Sequence, residues 1–264
     1  PSVLGQVKGM LRIFASPLTL ALLPLAFSSN FYYSYEFSVY NGELFTTRTR
    51  GFNNIWYWAA EMASSLAFGA LLDSKSMSRR RRAVTALVVI TVLCNLCWLF
   101  AQRVQSWWLG HPGQAKTRID YLQSGRATIP ILVYVMMGAC DALWQNVAFW
   151  LLGSLTNDAC TSAHYAGIYK SVQSLGAAVA WQLAARKVPF MAQLAVNWAL
   201  VNLSLPTMYY VALRIKDSNE SRSDSGALPT VATDNTESCS TVEKARVRDK
   251  VDEMFNSDDS DSTP

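Results

Sequence analysis

"IPILVYVMMGACDALWQNVAFWLL", residues 129–152, is an apolar run with one charged side chain, Asp141, at its midpoint. As a helix rising 1.5 Å per residue, it is long enough to cross the roughly 30 Å of hydrocarbon in a bilayer. A charged side chain at that depth costs at least about 2.5 kcal/mol, so a membrane-spanning reading requires something inside a bundle to receive Asp141. Gln145 lies one turn on and Asn146 stands beside it, which makes a polar stripe on one helical face.

Five more stretches approach the length of a span: 14–37, 53–72, 83–102, 163–184 and 191–213. Several contain Ser, Asn, Gln or an acid, as expected of helices packed together and not of single lipid anchors. The fold expected is therefore all-α: a polytopic membrane protein with a six-helix transmembrane bundle over residues 1–215. Residues 1–215 carry seventeen Lys and Arg against seven Asp and Glu, whereas 216–264 carry six against twelve. That second region is rich in Ser, Asp and Thr and poor in large apolar residues. It cannot bury enough surface to offset chain entropy, and a disordered acidic, Ser-rich cytoplasmic tail is expected, with a short helix possible at 241–255.

A secretory signal is the alternative reading of the first run, because Lys8 and Arg12 precede it. The run is too long for one and no small-residue cleavage site follows. The sequence begins at Pro1 without an initiator Met, and a piece of a longer protein or an incomplete gene model is expected.

The five cysteines, at 94, 97, 140, 160 and 239, form no disulfide framework. Cys94 and Cys97 make a CxxC inside an apolar helix with no second pair and no histidine nearby, so packing is the expected role, with no metal and no cofactor. His111 and His164 have no chemistry-bearing neighbours. The aqueous loops hold no nucleophile–base or metal constellation, and no enzymatic activity is expected.

With six spans both termini share a side. Lys and Arg divide nine to eight between the two sides, which decides little. Concentration decides more: "SMSRRRRAV" at 76–84 sets Arg79, Arg80, Arg81 and Arg82 directly against a span, placing the termini in the cytoplasm. The segment 103–126 is then the longest loop on the opposite side, with Trp107 and Trp108 at headgroup level. Tyr32, Tyr33, Tyr35 and Tyr40 either sit at that interface or line a cavity.

Other spans carry polar groups too. Asn54, Trp58, Glu61 and Ser65 repeat at intervals of four, three and four in the second span, and Lys170, Gln173 and Ser174 share a face in the fifth. Lys170 is expected to answer Asp141 or Glu61 across the bundle. Such a pair reads as a structural lock on helix register or as a proton- or ion-coupling site; alternatively Lys170 snorkels to the interface. Asp73 ends one helix and the arginines open the next, so an acid and bases meet at the surface, as a conformational contact or simply as a topology signal.

Three segments together resemble fungal members of the Unc-ninety-three-like group of the major facilitator superfamily. They are "YYSYEFSVYNGELFTTRTRGFNNIWYW", "DALWQNVAFWLLGSLTNDACTSAHYAGIYKSVQSLGAAVAW" and the terminal "LRIKD", within a likeness running from about residue 8 to 217. The RTR-x-x-N-x-x-x-YW element is Arg48, Thr49, Arg50, Asn53, Tyr57 and Trp58. The resemblance implies twelve helices in two six-helix halves, of which this chain matches the second. It also sets Gly69, Asp73 and Arg79 to Arg82 in the place of a facilitator loop motif, without its internal glycine and with longer spacing. Tyr57 and Glu61 set against Tyr169 and Gln173 form a faint echo of an inverted repeat.

Two functions follow as expectations. One is a carrier working by alternating access, with Asp141, Gln145, Glu61, Lys170 and Gln173 as transport or coupling residues; six helices from one half would not transport alone. The other, which the resemblance also implies, is a regulatory or trafficking subunit that binds other membrane proteins. The partners expected are the lipid bilayer, the missing N-terminal six-helix half and a further membrane protein, with no nucleic acid. The sequon Asn219-Glu-Ser221 tests orientation: expressed in microsomes, the chain should gain no glycan there, and a mobility shift removed by glycosidase would place the tail on the luminal side.

Overall fold

A computed structural model of the chain describes residues 11, 13–110, 117–156 and 158–215. The expected tail, His111, Lys8, Arg12 and the Asn219 sequon lie outside the described residues. The order of elements is α1 (Pro17–Ser28), a π-helical segment (Ser34–Asn41), one further turn (Gly42–Leu44), α2 (Thr47–Leu72), α3 (Arg79–Leu109), α4 (Ser124–Ser154), α5 (Ala159–Ala185) and α6 (Phe190–Leu213). The described residues form an all-helical fold. Its one extended pairing is the parallel bridge of Phe45 with Ile119.

Local chemistry sets the boundaries. Ser16, Thr46, Ser78 and Asp158 each accept the backbone N–H three residues on, satisfying a donor that the first turn leaves open at α1, α2, α3 and α5. Ser78 starts α3 at Arg79, so all four arginines lie in its first turn and not in the connection.

The expected first span, 14–37, is not one helix. α1 stops after 12 residues at Ser28, where the hydroxyls of Ser28 and Ser29 both turn back to the Leu25 carbonyl at 3.1 and 2.8 Å. Such bonds compete with the helical ladder. The chain resumes in the wider π turns of Ser34–Asn41, a form uncommon outside functional sites.

α2 packs on α4, α1 on α5 and α6, and α3 on α4 and α6. Two crossings are close because a side chain is missing. A Cβ on Gly176 of α5 would stand 2.0 Å from the Phe27 carbonyl oxygen, and one on Gly138 of α4 would stand 2.5 Å from that of Tyr57. Helices of membrane proteins approach through such small residues, where packing and not water exclusion drives association.

By length and composition α3 and Gly125–Ser154 of α4 can cross a membrane. The six-span expectation is not met on that criterion elsewhere: α1 is short, and α2, α5 and α6 carry Asn, Gln, Ser, Glu or Lys within them. The exposed side of α3 is apolar throughout its middle (Val88, Val92, Leu96, Leu99, Phe100), whereas that of α5 is mixed: Lys170, Ser171, Ser174 and Gln182 stand among Leu175, Val179 and Trp181.

At one end of the bundle the loop before α4 is tied to α2. Ile119 N–H donates to Leu44 O at 2.7 Å, Thr46 N–H to Ile119 O at 3.0 Å, and Tyr121 N–H to the Thr49 hydroxyl at 3.0 Å. Arg48 pairs with Asp120 at 2.7 Å, and this bond, with the Leu122 N–H, holds the Asp120 carboxyl below its ordinary range. Both groups reach water, so the pair contributes little.

Gly176→Ala should lower the thermal midpoint in detergent by an amount corresponding to about 1–3 kcal/mol of overpacking. Gly167→Ala, on the same helix with nothing within 4 Å of the new Cβ, should raise it slightly, by the equivalent of about 0.5–1 kcal/mol of helix propensity; an equal loss in both would remove the close crossing as the cause.

Candidate functional site: a buried carboxylate at the broken helix

The break between α1 and the π turns brings two consecutive tyrosines to one carboxylate. In a regular helix neighbours diverge by about 100°. Here Tyr32 donates its hydroxyl to Asp141 Oδ1 and Tyr33 to Oδ2, each at 2.6 Å, with their rings edge-on at 5.3 Å. Asp141 is only 2% exposed. The residue that the sequence marks as needing a partner is thus held by phenols.

The expected ion pair is not formed. Lys170 Nζ donates to Gln173 Oε1 at 2.8 Å and lies over the rings of Phe149 and Tyr169, at 5.2 and 5.7 Å. Among the described residues the salt bridges are Arg48–Asp120 and Arg118–Glu43, both away from the bundle's middle. Glu61 does not answer Lys170 either: its Oε2 is buried without a hydrogen-bond partner.

Hydrogen bonds nevertheless connect the candidates. Gln173 Nε2 donates to Gln145 Oε1 at 3.2 Å, and Gln145 Nε2 reaches Asn30 Oδ1 at 3.1 Å, Ser29 O at 3.3 Å and Asp141 Oδ1 at 3.4 Å. Tyr169 donates to Ser29 Oγ at 2.7 Å. Lys170, Gln173, Gln145 and Asp141 therefore form one polar track from an exposed face of α5 to the centre of α4. The carbonyl of Ser29, next to the end of α1, becomes one of its acceptors. Asn146 leaves this track and pairs with Ser65 of α2 at 3.1 Å.

Sequence reasoning missed Glu36, which is 3% exposed on the π segment and accepts the Tyr57 hydroxyl at 2.8 Å. Its place near the end of the expected first span was the available signal, because an acid inside an apolar stretch has the same cost as Asp141. Glu36, Asp141 and Tyr32 line a cavity of about 20 Å³ together with Cys94, Cys97 and Cys140. That is room for one water molecule. The three thiols are free, and the described residues contain no set of His, Cys, Asp or Glu arranged to hold a metal ion.

The Arg48-to-Trp58 element clamps the broken helix. Asn53 Nδ2 donates to Asn41 Oδ1 and Asn41 Nδ2 to Asn54 Oδ1, both at 2.9 Å; Arg50 Nε donates to Phe45 O at 3.1 Å. Tyr57 holds Glu36, and Trp58 stacks on Phe37 at 6.2 Å. The loop element behaves otherwise. Asp73 follows the last turn of α2, donating its N–H to Gly69 O at 2.9 Å, and among the described residues it forms no salt bridge with an arginine. Arg82 donates to Leu72 O at 2.7 Å, so that helix end and α3 meet through a carbonyl and not through the expected acid–base contact.

Tyr32→Phe and Tyr33→Phe should each cost about 1.5–3 kcal/mol of unfolding free energy, the range for bonds to an ionised group. Their double mutant should depart from additivity because both hydroxyls serve one carboxylate. Additive losses under 0.5 kcal/mol, roughly the scatter between independent sites, would show that the phenols do not bear the charge.

No protein-family profile matches the chain, and no solved structure does. Among curated proteins it is similar to UNC93-like protein 1 of Arabidopsis thaliana, 40% identical over 221 residues, which are 83% of this chain and 48% of the relative. An UNC93-like protein of Schizosaccharomyces pombe is 33% identical over 207 residues, 77% of this chain and 40% of that protein. A protein of the same yeast described as an uncharacterized membrane protein is 27% identical over 180 residues, 66% of this chain and 35% of that one. The chain spans about half the length of the Arabidopsis relative, and the likeness is not confined to fungi. Membrane-protein relatives and two helices of spanning length suggest membrane association. Identity of this extent to two proteins of that name supports the UNC93-like family for this chain.

Proposed function

We propose that this chain is the second six-helix half of a twelve-helix, multi-pass carrier of the major facilitator type, with both termini in the cytoplasm, and that it does not transport by itself. The observation that carries the reading is the buried carboxylate of Asp141 held to an interrupted helix by Tyr32 and Tyr33. Ionisable groups at membrane depth are expensive, and broken helices in transporters frame the site at which solute or ion is bound.

The chemistry of that contact supplies a mechanism. An ionised carboxylate accepts from both phenols. Once protonated it gains one O–H to donate and is a weaker acceptor, so the bond from the phenol on the protonated oxygen weakens or reverses. Because both tyrosines sit at the break, gain or loss of one proton alters the way α1 is joined to the π segment. The track through Gln145 and Gln173 leads from this carboxylate to the exposed face of α5, where the other half would meet it. Glu61, bordering the same region with one unpartnered oxygen, is a second acid for the cleft.

A second reading, a regulatory or trafficking subunit that engages another membrane protein, draws on a different feature. Both oxygens of Asp141 find donors within the chain, as a purely structural lock would require.

Asp141→Asn in the full-length parent protein distinguishes them. For a carrier, surface delivery and monodispersity persist while uptake falls by roughly tenfold or more, since an amide cannot take up the proton. If the variant is retained in the cell and aggregates, Asp141 is a lock and the second reading stands.

A further inference from the structure

We propose that Lys170 is the anchor of a binding site for a small monovalent organic anion, a carboxylate with an apolar body, on the exposed face of α5. The inference rests on the carrier reading for the water-filled cleft that this face would border.

Lys170 lies about 17 Å along α5 from its start, at 1.5 Å per residue. A cation at such depth is costly unless paired or wetted. Its neighbours do neither completely. Of three ammonium protons one goes to Gln173 Oε1 at 2.8 Å; the rings of Phe149 and Tyr169 offer their faces but no counter-charge. Asp141 is spoken for by Tyr32 and Tyr33, and Gln145 and Gln173 stand between it and the ammonium. Two N–H directions and one unit of charge remain open, on a side chain that is exposed.

The surroundings select the ligand. Ser171 and Ser174, on either side, donate their hydroxyls to their own helix, to Gly167 O and Lys170 O at 2.9 Å each, so the site offers one cation and no array of free donors. That suits one carboxylate better than a phosphate or sulfate, which calls for several donors. Phe149, 44% exposed, supplies an apolar wall for the body of the ligand. Gln173 positions the ammonium. The exposed face of α3, apolar along its middle, offers no such cation, whereas on α5 Lys170 stands among exposed apolar side chains (Leu175, Val179, Trp181) that suit the body of such a ligand.

The test is binding of radiolabelled benzoate to the full-length parent protein in nanodiscs of neutral phosphatidylcholine, a measurement that needs no transport. Saturable binding that weakens roughly tenfold or more in Lys170→Gln, the loss expected for a charge-assisted bond, and survives in Lys170→Arg supports the site. Lys170 is exposed, and an unchanged thermal midpoint in both variants separates lost binding from lost folding. Three results overturn it: no saturable benzoate binding, binding indifferent to Lys170→Gln, or engagement of Lys170 by phosphatidylglycerol headgroups alone. A carrier without this anion site would still lose uptake on Asp141→Asn. A benzoate site in a chain whose parent is indifferent to that change would leave the anion site and remove the carrier reading.

Discussion

The arrangement of this bundle depends on placing one carboxylate, Asp141, out of reach of bulk water. Removing an ionised Asp141 from water costs several kcal/mol, and two phenolic hydroxyls at 2.6 Å offset it at about 1.5–3 kcal/mol each. Tyr32 and Tyr33 are the first helical residues after the break, so the site that solvates the charge and the interruption of the first helix lie together. The serines that end α1 and the π turns that follow it are the local means; Asp141 on α4 is the reason they are retained in the packed state.

That break would be weak if left alone, because an interrupted helix loses ladder hydrogen bonds. The element from Arg48 to Trp58 compensates from the neighbouring helix. Asn53 and Asn54 grip Asn41, Tyr57 grips Glu36, and Arg50 takes the carbonyl of Phe45. Residues whose pattern in the sequence suggests a functional signature are, in the fold, the splint on an irregular segment. The same logic explains the loop before α4, which meets α2 by backbone pairing and leaves Arg48 and Asp120 at the surface.

The two faces of the bundle differ in chemistry, and this difference bears on function more than any single side chain. α3 presents aliphatic and aromatic side chains without interruption. α5 presents Lys170, Ser171, Ser174 and Gln182 among Leu175, Val179 and Trp181, with a hydrogen-bonded track running inward from Lys170 to Asp141. Lipid accepts the first face, whereas at Lys170 the second calls for water or a ligand.

The sequence by itself determined that the chain is helical and apolar, where α2 to α6 lie to within about two turns, and that Asp141 must have a partner; periodicity, capping residues and the cost of a buried charge are local properties and can be read from a line of letters. It also placed Asp141, Gln145, Gln173 and Lys170 in one neighbourhood, because intramembrane polarity is rare enough to mark its own site. The identity of the partner was decided only by the tertiary structure. Charge complementarity pointed to Lys170, but Tyr32 and Tyr33 reach the carboxylate first, because the helix break aims them there and because a hydroxyl can be desolvated at far lower cost than an ammonium. Glu36 and the trio of Cys94, Cys97 and Cys140 were hidden for the same reason: which residues from three different segments share one cavity is a property of how the helices cross, set by gaps such as Gly138 and Gly176, and no spacing along the chain encodes it.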